Sequence, residues 1–225
     1  MDRLFGHVKI GGSTQPKISN IVNPFKFNYK VGTLFTEQEC NDILKDLSLQ
    51  DDKFGITDDF GDENLSVYEI AIDNLNTCVG KSIIKNKIKE LENRLGLSYN
   101  DDRFIIKYKD DRKEMIPHYD GHSDTTLIYL TTDFEGGSTN FPIAGVEHKP
   151  QDYKPGHYIH YNSRHPHSFH GGTTVSKGEK IVIVLRSYKN NFLTYLSQIP
   201  WALIRLLYVV VFFNKGIRKN PKSGG

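Results

Sequence analysis

From residue 103 onward, the chain alternates short β-rich runs with turn-forming glycine, proline and aspartate. Turn signals such as Glu135-Gly136-Gly137 and Lys154-Pro155-Gly156 separate the runs. Many short strands at this spacing predict an antiparallel sandwich or barrel. Five runs are expected to be strands, at residues 104–108, 125–131, 139–141, 158–161 and 181–188.

Two amphipathic helices are expected before these strands. Thr36 and Glu39 have the spacing of a capping box, and Ile43 and Leu47 continue the apolar stripe of the first helix. Gly96 is placed to end the second helix as a C-cap. We expect both helices to cover the sheet as scaffold. The apolar residues of the second helix are Ile83, Ile84, Ile88, Leu91 and Leu95.

The composition is that of a folded protein, and the length fits one domain with appendages or two small domains. The 225 residues are 37% hydrophobic and 25% charged, which excludes collagen-like and disordered classes. Two cysteines are too few for a disulfide framework or a zinc site of four thiolates, which favours a reducing compartment. Residues 1–12 lack the apolar run of a signal peptide, so an intracellular, cytoplasmic location is expected. We predict a leader at 1–31, a domain at 32–191 and a tail at 192–225.

The net charge of +2 is unevenly distributed along the chain. Residues 192–225 carry five basic and no acidic residues, so the remainder has a net charge of −3. A net negative charge on residues 1–191 does not favour general nucleic-acid binding, which needs a basic surface. Residues 192–213 are mostly apolar, although Pro200 and Arg205 count against a membrane span. Three alternatives stay open: an interfacial helix with peripheral membrane contact through residues 192–222, a tail anchor, or a helix packed on the domain or a partner.

Two separated motifs carry the candidate chemistry. In an extended chain, the side chains of His118 and Asp120 project to the same face, because residues two apart share a face. A second histidine from a distant strand would complete a set of two imidazoles and one carboxylate, which leaves open positions on Fe(II). Such a histidine could stand in the run His170-Gly171-Gly172.

Lys180 begins an apolar run in which strand alternation turns it to the face of Val182 and Val184. A cation among apolar side chains is costly without an anionic partner. A dicarboxylate with one end on the metal would supply that partner. The alternative is an exposed lysine on an edge strand.

Residues 108–188 resemble the double-stranded β-helix of the Fe(II) and 2-oxoglutarate dependent dioxygenases, most closely the prolyl 4-hydroxylase-type branch. The resemblance covers about 80 of 225 residues, and the helix after Thr36 resembles the support helix of the family. In chain order, the matching motifs are Tyr108, His118-x-Asp120, Thr125-Thr126-Leu127-Ile128-Tyr129-Leu130, Gly136-Gly137-Ser138-Thr139-Asn140-Phe141-Pro142, Pro155-Gly156 and His170-x-Gly172-x-x-Val175-x-x-Gly178-x-Lys180.

The resemblance implies a mainly β fold, a jelly-roll or cupin-like barrel supported by N-terminal helices. It implies Fe(II) as cofactor, 2-oxoglutarate as cosubstrate and ascorbate as a further cofactor, with no catalytic residue beyond the metal ligands. The implied iron ligands are His118, Asp120 and His170. The implied 2-oxoglutarate residues are Lys180 as salt-bridge partner of the distal carboxylate, Tyr129 as hydrogen-bond donor to it, and Tyr108 as a pocket residue.

Three further histidines, His160, His165 and His167, compete with His170 for the distal metal position. We prefer His170, because it alone lies ten residues before Lys180 and directly before the paired glycines. His165 and His167 are expected to be surface imidazoles or neighbours of the ligands.

The function expected from the resemblance is hydroxylation of a protein or peptide side chain, with proline as the first expectation and succinate and CO2 as coproducts. One alternative is the same chemistry on a small molecule or nucleobase. Arg186, six residues after Lys180, fits a nucleobase demethylase, although that branch would have arginine in place of Lys180. A catalytically silent β-barrel binding module is the alternative from another class.

Overall fold

The structure is a computed structural model, and it describes residues 27, 29–58, 66–99, 103–108, 115–187, 203 and 207. The described helices are α1 (Glu37–Ser48) and α2 (Val79–Leu95). The described strands are β1 (Lys30–Thr33), β2 (Gly55–Asp58), β3 (Ser66–Ala71), β4 (Arg103–Tyr108), β5 (Met115–His118), β6 (Asp124–Tyr129), β7 (Glu135–Gly136), β8 (Thr139–Phe141), β9 (Val146–His148), β10 (His157–Asn162), β11 (His170–Gly172), β12 (Val175–Lys177) and β13 (Lys180–Ser187).

The strands form a major sheet, a minor sheet and a short ribbon. The major sheet has the order β1-β10-β6-β13-β4-β3-β2, and the minor sheet has the order β5-β11-β8-β9. All of these pairings are antiparallel. The ribbon pairs β12 with β7. The predicted class, a mainly β double-stranded β-helix with helices before it, is therefore confirmed.

The two helices pack against each other and cover one face of the major sheet. Thr36 and Glu39 form the predicted capping box, in which the Thr36 hydroxyl accepts from the Glu39 amide and the Glu39 carboxylate accepts from the Thr36 amide. Gly96 ends α2 with a φ of 67°, in the left-handed region that favours glycine. The predicted helix ends are therefore confirmed.

Strand β13 lies in the middle of the major sheet and separates two apolar cores. Ile181 and Ile183 pack into the core beneath the helices. Val182 and Val184 face the space between the two sheets. This alternation places the first residue of the strand, Lys180, on the same side as Val182 and Val184.

Several short elements differ from the sequence-based expectation. The sequence after α1 is rich in aspartate, at Asp51, Asp52 and Asp58, and predicts a loop, but its residues 55–58 form β2, which pairs with β3. Strand β1 crosses the expected boundary between residues 31 and 32, because it pairs with β10 at the edge of the major sheet. Most strands of two to four residues were not predicted, because they are too short to show alternation, although β8 was. The six-residue β3 was also missed.

The predicted C-terminal helix lies outside the described residues, apart from Leu203 and Leu207, which are helical and exposed. The first 26 residues of the predicted leader also lie outside them. No helix within the described ranges has the length and apolar character needed to cross a membrane.

Candidate metal centre

Two histidines from different strands face each other in the minor sheet. His118 ends β5 and His170 begins β11, and the two are paired residues of antiparallel strands. Their ring centroids are 4.6 Å apart. Gly171 allows this close approach, since a Cβ at that position would lie 2.7 Å from the Met115 carbonyl oxygen.

Asp120 completes a cluster with these two histidines. Its Oδ1 lies 3.6 Å from Nε2 of His118, and its Oδ2 lies 3.8 Å from Nε2 of His170. One ligand atom from each residue lies within 4.8 Å of the others. Two imidazole nitrogens and one carboxylate on one side of a point form a donor set that fits Fe(II) and leaves its other side open.

A backbone contact fixes the orientation of the His170 ring. Its Nδ1 lies 2.9 Å from the carbonyl oxygen of Ser168, which can only accept, so Nδ1 carries the proton and donates. The Nε2 lone pair therefore faces Asp120. Burial, followed by the charge of His118, lowers the pKa of His170 to about 4 despite the opposing charge of Asp120. The ring is neutral near pH 7 and keeps this lone pair for a metal ion.

The Asp120 carboxylate is buried and accepts hydrogen bonds from neighbouring strands. The Thr125 hydroxyl donates to Oδ2 at 2.7 Å, and the Tyr161 hydroxyl donates to the same oxygen at 3.2 Å. Burial alone would raise the pKa of Asp120, but the interactions with His170 and His118 lower it well below its usual value. Asp120 is therefore an anion at neutral pH, as a metal ligand must be.

Tyr161 belongs to this site although sequence reasoning did not single it out. Its hydroxyl lies 3.1 Å from Nε2 of His170 as well as near Asp120. It lies on β10 on the same face as Ile159, in the core between the sheets. Alternation along the predicted strand could have placed it on that face. Its distance to the metal ligands depends on how the two sheets pack together.

Lys180 is buried, and it faces the space between the sheets from the major sheet. Its side chain is only 6% exposed, and Nζ donates to the Gly137 carbonyl oxygen at 2.8 Å. The interpretation as an exposed edge-strand lysine is wrong, because β13 is an interior strand of the major sheet. Nζ lies 5.0 Å from the Tyr108 ring centroid and 5.6 Å from that of Tyr129. The structure thus brings together the three residues expected to bind 2-oxoglutarate.

Tyr129 is fully buried and directs its hydroxyl across to the minor sheet. The hydroxyl lies 2.9 Å from Oγ1 of Thr139 on β8. Burial raises the pKa of Tyr129, so the phenol keeps its proton. It can therefore donate a hydrogen bond to an anion beside Lys180.

Arg186 follows Lys180 on the same face of β13 and is the cross-strand partner of Thr125. Its positive charge is one of the causes that lower the pKa of Asp120. A second cation therefore acts on the metal site from the side of the major sheet.

The competing histidines do not join the cluster. His160 contacts Thr126 through Nδ1, at 2.9 Å. His165 accepts a hydrogen bond from the backbone of His167 in a short 3-10 turn. The expectation of a surface position is wrong for His167, which is buried. In the described part of the chain, His118, Asp120 and His170 form the one group of three residues with metal-ligand spacing.

No protein-family model and no curated protein matches the sequence. The fold matches solved structures. The viral collagen prolyl hydroxylase from Paramecium bursaria Chlorella virus-1, in a 2-oxoglutarate complex, is 20% identical over 70% of this chain and 94% of that chain, with a TM-score of 0.51. A prolyl hydroxylase from Trichoplax adhaerens, in complex with a peptide fragment of the hypoxia inducible factor oxygen degradation domain, is 15% identical over 80% and 86%, with a TM-score of 0.57. The chain therefore shares the double-stranded β-helix fold of these prolyl hydroxylases.

Proposed function

We propose that this chain is an Fe(II) and 2-oxoglutarate dependent dioxygenase that hydroxylates a protein or peptide side chain and forms succinate and CO2. The observation that carries the proposal is the placement of the His118, Asp120 and His170 cluster in the same space between the sheets as the buried Lys180. A metal site alone fits many reactions. A metal site with a buried cation on the facing sheet fits a dicarboxylate cosubstrate.

The three ligand residues would hold the iron on one side only. Iron with bound 2-oxoglutarate supplies the oxygen chemistry, and the protein supplies geometry, charge balance and exclusion of water. The Thr125 hydroxyl and the Tyr161 hydroxyl hold the Asp120 carboxylate in place. The contact between His170 and Ser168 fixes which ring nitrogen faces the metal.

Lys180 and Tyr129 would bind the distal carboxylate of 2-oxoglutarate. The ammonium group of Lys180 supplies the opposite charge, and the neutral phenol of Tyr129 supplies a hydrogen-bond donor. Tyr108 would form the wall on the other side of Nζ. The 2-oxoglutarate complex of the viral hydroxylase supports this choice of cosubstrate.

A peptide is the proposed substrate class, with a prolyl side chain as the first candidate. The support is the Trichoplax hydroxylase, which has this fold and was solved with a peptide. Ascorbate enters the proposal only as an assay component. Small molecules and nucleobases remain the alternative substrates, and a silent binding module remains the alternative from another class.

The test is an anaerobic titration of the protein with Fe(II) and 2-oxoglutarate, followed by oxygen and a succinate assay across peptide and small-molecule pools. We expect a metal-to-ligand charge-transfer absorption before any substrate is added. Succinate formation that depends on one pool then identifies the substrate class. Absence of both the absorption band and succinate would overturn the proposal and favour the silent module.

A further inference from the structure

A buried pair of histidines lies beside Lys180, outside the metal centre. His148 ends β9 of the minor sheet and His157 begins β10 of the major sheet, and they are 1% and 3% exposed. Their Nε2 atoms are 3.0 Å apart. The pair therefore links the two sheets through one hydrogen bond between imidazoles.

The proton positions in this pair follow from one backbone contact. Nδ1 of His157 lies 2.9 Å from the Lys154 carbonyl oxygen, so this nitrogen carries a proton and donates. In a neutral His157 ring, Nε2 then accepts from the Nε2 proton of His148. Nδ1 of His148 is left without a proton, and it is buried with no hydrogen-bond partner among the described residues. Such an atom in a native structure requires an explanation.

The pair lies next to Tyr129, one of the residues proposed to bind 2-oxoglutarate. His148 is the cross-strand neighbour of Thr139, which contacts the Tyr129 hydroxyl. The His148 ring centroid lies 5.3 Å from that of Tyr129, and the Lys180 Nζ lies 5.6 Å from the same ring. Burial, the nearby His157 and the charge of Lys180 lower the pKa of His148 to about 3. The pair is therefore neutral when no anion is bound.

Tyrosine rings surround the pair and favour a positive charge on it. His157 stacks between Tyr129 and Tyr153, at centroid distances of 4.6 and 4.7 Å. His148 stacks on Tyr153 at 4.9 Å, and its ring is nearly perpendicular to that of Tyr29 at 6.3 Å. The face of an aromatic ring attracts a cation. Tyr29, Tyr129, Tyr153 and Lys180 are the titratable groups that face the pair.

We propose that the His148 and His157 pair takes up one proton when a dicarboxylate binds beside Lys180, and so acts as a further binding group for the cosubstrate. This inference rests on the proposed function. With one added proton, His157 donates from both nitrogens, to Lys154 and to Nε2 of His148. Nδ1 of His148 then becomes a donor to the bound anion. The proton comes from solvent and returns to it when the dicarboxylate leaves.

The anion makes this proton uptake favourable for two reasons. Its negative charge offsets the effect of Lys180, which opposes a second cation in the empty pocket. It also provides an acceptor for the new Nδ1 donor, which would otherwise be a buried unsatisfied group.

The test is calorimetric titration of the full chain, saturated with Mn(II), with 2-oxoglutarate. Titrations at about pH 6 in two buffers of different ionisation enthalpy give the number of protons taken up. We expect close to one proton, and a dissociation constant that rises by up to tenfold per pH unit as the pH increases. His148→Asn should abolish both effects, whereas His165→Asn, which alters a histidine of the 3-10 turn, should leave both unchanged.

Each outcome is informative. Binding without proton uptake in the unaltered chain overturns this inference and leaves the proposed function standing. Proton uptake that persists in His148→Asn assigns the proton to another group and also overturns it. Absence of any 2-oxoglutarate binding overturns the proposed function itself. If His148→Asn does not fold, the imidazole nitrogen resonances of the unaltered chain, with and without 2-oxoglutarate, show whether the pair gains a proton.

Discussion

His118 and His170 are paired residues of antiparallel strands, and their ring centroids lie 4.6 Å apart. The metal centre is therefore built on the hydrogen-bonded register of β5 and β11, with Asp120 placed just beyond the end of β5. Ligands on paired strands are held more precisely than ligands on a loop. Changes in the separation of these two strands should act directly on metal binding.

Replacing a ligand should abolish both metal binding and turnover. Asp120→Ala or His170→Ala removes one of three donors, so we expect no Mn(II) binding by electron paramagnetic resonance and no succinate formation. His165→Ala is the matched control and should behave like the unaltered chain, because His165 lies outside the cluster. Turnover by Asp120→Ala at the normal rate would contradict the ligand assignment.

Lys180→Ala should chiefly weaken 2-oxoglutarate binding. Loss of a charged hydrogen-bond partner costs about 1.5–3 kcal/mol, so the KM for 2-oxoglutarate should rise by roughly 10- to 100-fold. The affinity for the metal should stay within about twofold of that of the unaltered chain, because none of the three metal ligands is altered. Lys177→Ala alters an exposed lysine on β12, paired with Glu135, and serves as control. Equal KM values for the two variants would rule out the assigned role of Lys180.

Tyr161→Phe tests the hydroxyl that sequence reasoning missed. The variant keeps the ring packed against Phe141 and removes the hydrogen bond to Asp120. Partners of metal ligands typically contribute about 10- to 100-fold to metal affinity, so Mn(II) affinity should fall by roughly tenfold. Tyr99→Phe loses a buried hydrogen bond to Thr126 away from the site and controls for lost stability. If both variants bind Mn(II) equally well, Tyr161 has no part in positioning Asp120.

Substitutions at Gly171 and Gly172 provide a matched pair that tests the spacing between β5 and β11. A Cβ at Gly171 would lie 2.7 Å from the Met115 carbonyl oxygen, whereas at Gly172 its nearest neighbour would be 3.6 Å away. Gly171→Ala should therefore push β11 away from β5. Because metal affinity depends strongly on the positions of the ligands, metal binding should weaken at least about tenfold. Gly172→Ala should leave metal binding nearly unchanged. Similar metal affinities in the two variants would show that the close approach is not required.

The metal-free chain should lose stability as the pH falls below about 6.5. The folded-state pKa of His170 is lowered to about 4, chiefly by burial, so the unfolded chain binds more protons between this value and the ordinary histidine pKa. The contribution of His170 to the free energy of unfolding is present above about pH 6.5 and is lost as the pH falls toward 4. About 1.4 kcal/mol of this contribution is lost by about pH 5.5.

Urea unfolding in a chelator at about pH 7.5 and pH 5.5 measures this change. His170→Asn should lose less free energy of unfolding between the two pH values than the unaltered chain does. His165→Asn is again the control. An equal loss in His170→Asn would show that the ring is not held neutral by the fold.

Local sequence determined the features that depend on neighbouring residues. The capping box of Thr36 and Glu39 and the left-handed Gly96 follow from short-range hydrogen bonding and backbone sterics. The face that Lys180 shares with Val182 and Val184 follows from strand alternation, which has a period of two and needs no knowledge of the partner strand. That this face is buried followed only from the interior position of β13 in the major sheet. The antiparallel class of the fold followed from the same kind of local pattern.

The tertiary structure alone decided which distant residues meet. The register of β11 on β5 brings His170, and not His165 or His167, opposite His118. The packing of β10 of the major sheet against the minor sheet places Tyr161 beside Asp120 and joins His157 to His148. These contacts depend on hydrogen bonds and packing between strands far apart in the chain, and a period read along one strand carries no information about its partner.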